Sequence, residues 1–292
     1  MKRSFMAGLA DEYIRRAHRI SEKSVIRGLS DFNTDKNVYQ IPKLLSFPRK
    51  VENKLYNGMQ VFEMEPENGE DKVIMYIHGG GYINNFSVFH WIFLSSITNK
   101  GGYGFTAPNY PLLPKYTYKQ SHEKMLDYYR EYALTHDMNN VILAGDSAGG
   151  GFALALLQQV KELHLPLPSK VILISPFVDT KGANIELAAK DALVDFNAAL
   201  RLGDAWANGD DYTIPKISPL YGNLEGLPPI NIYVGTYEIL YDECVCLYNK
   251  LINAKNDVRI YIGEKMGHDF PLYPIPEGKI ARKDIMDFIG KV

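Results

Sequence analysis

With only two cysteines in 292 residues, Cys244 and Cys246, this chain has no disulfide framework. Two positions apart on a predicted helix, they point to different faces and cannot pair with each other. Nor do two thiols make a zinc cage without histidines at ligand spacing. Both are expected to be packing residues in a reducing compartment. Charge of one sign is also lacking. Lys and Arg total 32 against 34 Asp and Glu, a net charge of −2, which gives no reason to expect nucleic acid or another polyanion as partner. No run approaches the roughly 18 apolar residues that would cross a bilayer. Met1-Lys2-Arg3 begins like a secretory leader, but the apolar run Phe5 to Ala10 is short and is cut by Asp11 and Glu12. The expectation is a neutral cytoplasmic protein with no membrane span and no metal or organic cofactor. With 46% hydrophobic residues, the length suits one large domain spanning 1–292.

Short apolar runs rich in β-branched residues punctuate the chain: Val73–Ile77, Tyr103–Ala107, Val141–Ala144, Val171–Ile174, Ile230–Val234 and Val258–Ile262. Such runs suit strands buried on both faces. Helical patterns near 88–99, 121–135, 148–163, 240–254 and 278–290 alternate with them, which predicts an α/β fold with a mainly parallel, doubly wound sheet. Ahead of these, Val51–Glu65 alternates around Asn57-Gly58, the signature of a hairpin at a sheet edge. At the N-terminus, Met6, Leu9, Tyr13, Ala17 and Ile20 recur at helical spacing over 4–24 and predict one amphipathic helix. The interval 179–229 is too long for a simple crossover, and Ile185, Ala189, Ala192, Phe196 and Leu200 recur in it at helical spacing. Segments 1–45 and 180–228 together are expected to form a helical cap over the strand ends.

Gly145-Asp146-Ser147-Ala148-Gly149 follows one apolar run directly and opens a helical stretch. In that strand–turn–helix context G-x-S-x-G marks a nucleophile elbow. The serine sits on a turn so tight that its hydroxyl is lifted into the crevice, with glycines leaving room on either side. The helix N-terminus behind it favours an anion forming at the serine. His78-Gly79-Gly80-Gly81-Tyr82 follows another run, and bare backbone there can turn N–H groups toward a substrate oxygen, joined by the N–H of Ala148. His78 itself is expected to hold the loop by hydrogen bonds rather than act as a second base. Of the seven histidines only His164 and His268 follow Ser147. His164 ends the elbow helix at the wrong edge of the sheet. His268 lies in the loop after the last strand, at the edge where such sites gather, and is the candidate general base. For the acid, Glu238 stands just beyond a strand end and is preferred; Asp242, one helical turn on, is the alternative. Tyr82 and Phe86 are candidate substrate-binding residues.

Taken together, H-G-G-G-Y at 78–82, Tyr110-x-Leu112-x-Pro114, G-D-S-A-G-G at 145–150, Ser175-Pro176-x-x-Asp179, G-x-x-E-x-L-x-D-E at 235–243 and Gly267-His268-x-Phe270 resemble the hormone-sensitive lipase-like esterases, bacterial family IV, of the α/β-hydrolase superfamily. The likeness runs from about Lys72 to Phe270. It implies the α/β-hydrolase fold, Ser147, Glu238 and His268 as triad, and Gly80, Gly81 and Ala148 as oxyanion donors. It also implies a cap built from the two segments named above. This chain has glutamate at 238 where the family usually has aspartate, and Lys115 where it often has glutamate. The implied activity is hydrolysis of small, short-acyl carboxylic esters through an acyl-enzyme. An amidase or peptidase using the same triad, and a binding protein that kept the fold without catalysis, are the competing readings. Oligomeric state, a homo-oligomer included, is not encoded in these motifs.

Overall fold

The computed structural model describes residues 3–32, 38–43 and 45–290. Residues 1–2, 33–37 and 44 of the predicted cap segment 1–45 therefore lie outside the described residues. Two helices lead, α1 (Phe5–Ala17) and α2 (Glu22–Ser30), followed by the hairpin β1 (Glu52–Tyr56) and β2 (Met59–Met64), turning at Asn57-Gly58 as its sequence predicts. Then come β3 (Val73–Ile77), α3 (Val88–Gly101), β4 (Gly104–Pro108), α4 (Tyr118–Thr135), β5 (Val141–Asp146) and α5 (Ser147–Glu162). The chain closes with β6 (Lys170–Ile174), α6 (Phe196–Ala207), β7 (Ile230–Gly235), α7 (Tyr241–Asn253), β8 (Val258–Gly263) and α8 (Pro276–Gly290). The eight strands form one sheet in the order β1-β2-β4-β3-β5-β6-β7-β8. β3 to β8 run parallel, while β2 is antiparallel to both β1 and β4.

Period-two alternation divides each central strand between two apolar layers. Ile74, Tyr76, Ile142, Ala144, Ile172 and Ile174 join the layer under α3 and α8, whereas Met75, Ile77, Leu143, Val171 and Leu173 join the layer under α4, α5 and α7. Both faces are covered, which is why these strands read as unbroken apolar runs. The edge strand β1 is exposed along four of its five residues, and there Lys54 pairs with Glu63 at 2.6 Å instead of an apolar neighbour. α5 is the central helix, with 13 of its 16 residues buried. It lies against β3 closely enough that a Cβ on Gly149 would collide with the backbone carbonyls of Ile77 and His78.

Four expectations need correction. The N-terminal stretch is two helices, because the chain leaves α1 at His18 and Ile20 forms a parallel bridge with Val194 before Ser21 caps α2. On α1 the expected inward stripe faces solvent: Met6, Leu9 and Tyr13 are half exposed, and Ala7 and Ile14 are buried instead. One polar tie holds α1 to the body in that orientation, with Ser4 at its N-cap bonded to Glu277 of α8. Residues 185–200 are not one helix either. A 3-10 turn over Ile185–Leu187 ends before Asp191, whose Oδ1 accepts from the N–H groups of Leu193 and Val194 and folds the chain into an extended passage; α6 begins only after Asp195 caps it. Finally, Cys244 is buried but Cys246 is exposed, so only one thiol packs.

Candidate active site

Ser147 is the first residue of α5, immediately after β5, and holds a left-handed φ of 50°. A β-to-α reversal without spare residues forces that conformation, which an L-residue adopts only when its surroundings hold it there. Its Oγ lies 2.9 Å from His268 Nε2. His268 sits in the loop between β8 and α8, wholly buried. Its other nitrogen, Nδ1, is 3.5 Å from Glu238 Oε1, within ion-pair range though long for a hydrogen bond. Catalytic hydrogen bonds are often this loose before substrate binds. The second Glu238 oxygen, Oε2, accepts from Ser175 Oγ at 2.8 Å and from the Gly235 N–H at 3.0 Å, which leaves Oε1 toward the imidazole. Asp242 is not in this constellation: it is exposed on the first turn of α7 and accepts from Asn184 Nδ2 at 2.5 Å.

The glycine loop approaches from β3. Gly80 and Gly81 take φ of +105° and +65°, conformations that favour glycine. Among the described residues no acceptor is bonded to either N–H. The Ala148 N–H is likewise without an intrahelical partner, being in the first turn of α5. His78 is a loop holder, as expected: its Nδ1 lies 2.7 Å from Gly79 O and its ring stacks on Tyr110. Burial, with His90 nearby, pushes its pKa down to about 3, so it stays neutral.

Sequence reasoning missed three side chains. Asp146, the variable residue of the elbow motif, accepts from Tyr76 OH (2.5 Å) and the Gly79 N–H (3.0 Å) and faces His90 Nε2 at 3.1 Å. It thereby ties the nucleophile turn to the glycine loop. Ser175, at a left-handed φ of 41°, donates to Glu238 and accepts from the Asp269 N–H at 3.1 Å, so one hydroxyl positions both the acid and the histidine loop. Asp191 accepts from the Ile239 N–H through Oδ2 at 3.0 Å and joins the 180–228 insertion to the acid loop. G-D-S-A-G-G carried Asp146 and Ser-Pro-x-x-Asp carried Ser175 without pointing to these bonds, and nothing in the sequence pointed to Asp191.

Tyr82 and Phe86 are a correction. Both rings are core: Tyr82 stacks on Trp206 at 3.9 Å between centroids, and Phe86 packs on His78 and Trp91. Neither lines the cavity that opens beside Ser147. That cavity, about 360 Å³, is bordered by Ser147, Gly80 and Asp269 below and by Arg19, Ile20 and Val25 of the N-terminal segment above. The N-terminal segment is fastened to the insertion across the crevice. The Ile20 N–H donates to Leu193 O at 2.7 Å, the Asp195 N–H donates to Ile20 O at 3.0 Å, and Arg201 pairs with Glu22 at 2.5 Å.

Burial opposes an imidazolium at His268, but Asp269, Glu238 and Asp191 outweigh it and push the pKa up to about 10. Asp269 Oδ2 is 3.3 Å from Nε2, on the nitrogen that faces the serine. Burial, only partly offset by His268 and reinforced by Asp146, Glu238 and Asp191, lifts the Asp269 carboxyl well above the usual range. Asp269 therefore acts on the imidazole through its charge across this distance, favouring the imidazolium. A neutral imidazole can accept the Ser147 proton; an imidazolium cannot. Activity should therefore rise with pH along an acid limb set by this pair. Asp269→Asn, which suits the left-handed φ of 57° at this position, should move that limb about one pH unit lower in a kcat/KM–pH profile. An unmoved limb would remove Asp269 from the titration.

Residues 74–272 match the alpha/beta hydrolase fold family, and the chain belongs to it. It is 31% identical to a triacylglycerol lipase of Mycobacterium tuberculosis over 82% of its own length, a match that spans 51% of that lipase. It is 30% identical to an acetyl-hydrolase of Streptomyces hygroscopicus, covering 75% of each chain. A solved esterase of the bacterial hormone-sensitive lipase family superposes with a TM-score of 0.83 at 26% identity, covering 99% of this chain and 98% of that one. Fold and relatives thus place it among the esterase-type hydrolases of the hormone-sensitive lipase kind. No helix among the described residues is long and apolar enough to cross a membrane.

Proposed function

We propose that this protein hydrolyses short-acyl carboxylic esters through an acyl-enzyme on Ser147. The observation that carries the reading is the 2.9 Å approach of Ser147 Oγ to His268 Nε2 at the mouth of a cavity, with Glu238 behind the imidazole. Ser147 attacks the ester carbonyl and passes its proton to Nε2. The N–H groups of Gly80, Gly81 and Ala148 receive the oxyanion; each such donor is typically worth roughly 3–4 kcal/mol in the transition state. His268 returns the proton to the leaving alcohol, and water then repeats the sequence to release the acid. Glu238 holds the imidazole in the tautomer that leaves Nε2 free, and stabilises the imidazolium. The helices of 5–30 and 196–207 act as a cap that keeps bulk water from the crevice. We place this chemistry in the cytoplasm, in keeping with the unpaired thiols Cys244 and Cys246.

Purified protein should turn over p-nitrophenyl acetate and butyrate, and should cleave the matched p-nitroanilides at least a thousandfold more slowly. Anilide cleavage at comparable rates would move the reading to an amidase, and no turnover of either would end it.

A further inference from the structure

Ser147 stands between two spaces of very different size. One is the cavity of about 360 Å³; the other is a notch of about 20 Å³ lined by Gly81, Ser147, Phe177, Val194, Leu202 and Leu240, with Ile20 and Ala199 at its rim. Proton chemistry decides which half of an ester goes where. The leaving oxygen must take its proton from His268 Nε2, so the alcohol must lie on the side of the histidine loop. Asp269, Leu272 and Tyr273 of that loop border the large cavity, and none of its residues borders the notch. The acyl group is then left to the notch, beside the glycine loop.

Size sets the consequence. About 20 Å³ is close to the space of one water molecule or one methyl group. The wall facing the glycine loop is Leu202, in the second turn of α6, 3% exposed, with its Cδ1 standing where a side chain on Gly81 would begin. Resting on the ester-hydrolase reading above, we propose that Leu202 sets the acyl ceiling of this enzyme at acetyl, and that its substrates are acetate esters of larger alcohols. In the reaction the Ser147 Oγ–carbonyl bond forms and the bond from that carbonyl carbon to the alcohol oxygen breaks. The serine proton leaves with the alcohol by way of Nε2, and water releases acetate.

The test is kcat/KM for p-nitrophenyl acetate, butyrate and hexanoate in three proteins: wild type, Leu202→Ala, and Val25→Phe, which narrows the large cavity. Wild type should fall at least tenfold from acetate to butyrate, since a methylene that a pocket cannot take is worth roughly that or more. Leu202→Ala should raise the hexanoate-to-acetate ratio at least tenfold. Val25→Phe should leave that ratio within twofold of wild type while slowing acetates of bulky alcohols relative to ethyl acetate. If Leu202→Ala fails to fold, judged by its melting curve, Leu202→Val should give the same change for butyrate on a smaller scale. A wild-type profile flat from acetate to hexanoate, or one that shifts with Val25 and not with Leu202, overturns the assignment while leaving the hydrolase standing. No turnover of any ester would overturn both.

Discussion

Ser147→Ala should reduce p-nitrophenyl acetate turnover by roughly ten-thousand- to million-fold, while the melting temperature stays close to that of wild type. The size of the effect follows from what the hydroxyl does. It forms the bond that divides one difficult displacement into two easier ones, and no neighbour can replace it: the nearest basic group, His268, is placed to take a proton from Oγ at 2.9 Å. Whatever rate remains would come from the backbone donors and substrate binding alone. Structurally the change is small, since alanine removes a single oxygen from the first turn of α5. Relief of the left-handed φ of 50° is not expected, because β5 and α5 fix that turn. A variant retaining more than about one per cent of activity would exclude Ser147 as the nucleophile.

The second large effect separates two carboxylates. Glu238→Gln should lower kcat by roughly a thousand- to ten-thousand-fold, as amide-for-carboxylate changes do when the acid sets the tautomer of a catalytic histidine. A glutamine can offer its N–H₂ to Nδ1, which would turn the imidazole proton onto Nε2, the atom that must accept from Ser147. Asp242→Asn should stay within about twofold of wild type. Its carboxylate is exposed and engaged with Asn184, and an exposed polar exchange of that kind rarely matters. Measuring kcat for both variants on one ester decides between them. Equal losses, or the larger loss at 242, would reassign the acid. KM should change little in Glu238→Gln, because the group acts on the imidazole rather than on the substrate.

These two side chains were within reach of the sequence because the chemistry demands a local pattern around each. A tight β-to-α turn needs glycines beside Ser147, and the buried parallel strands that carry Ser147, Glu238 and His268 announce themselves as apolar runs. Position relative to those strand ends was then enough to separate His268 from His164 and to favour Glu238 over Asp242. What joins the pieces was not legible. Ser175 bonds to a carboxylate 63 positions away and Asp146 to a histidine 56 positions away, and no spacing rule connects such partners. The N-terminal helices misled for a related reason. Met6, Leu9 and Tyr13 satisfy a helical period, yet with Ser4 tied to Glu277 of α8 it is Ala7 and Ile14 that meet the body. Tyr82 and Phe86 were drawn to the crevice by their place beside the glycine loop. Trp206, far along the chain in α6, takes the ring of Tyr82, and Trp91, a turn and a half on in α3, takes that of Phe86.

The account as a whole depends on an activated hydroxyl at position 147. A fluorophosphonate probe reports it directly, since it phosphonylates only a serine whose proton can be taken by a neighbouring base. Incubated with the folded protein and mapped by peptide mass spectrometry, the probe should yield one adduct, on the peptide carrying Ser147, and none in His268→Ala. An unlabelled wild-type protein, or an adduct on any other residue, would contradict it.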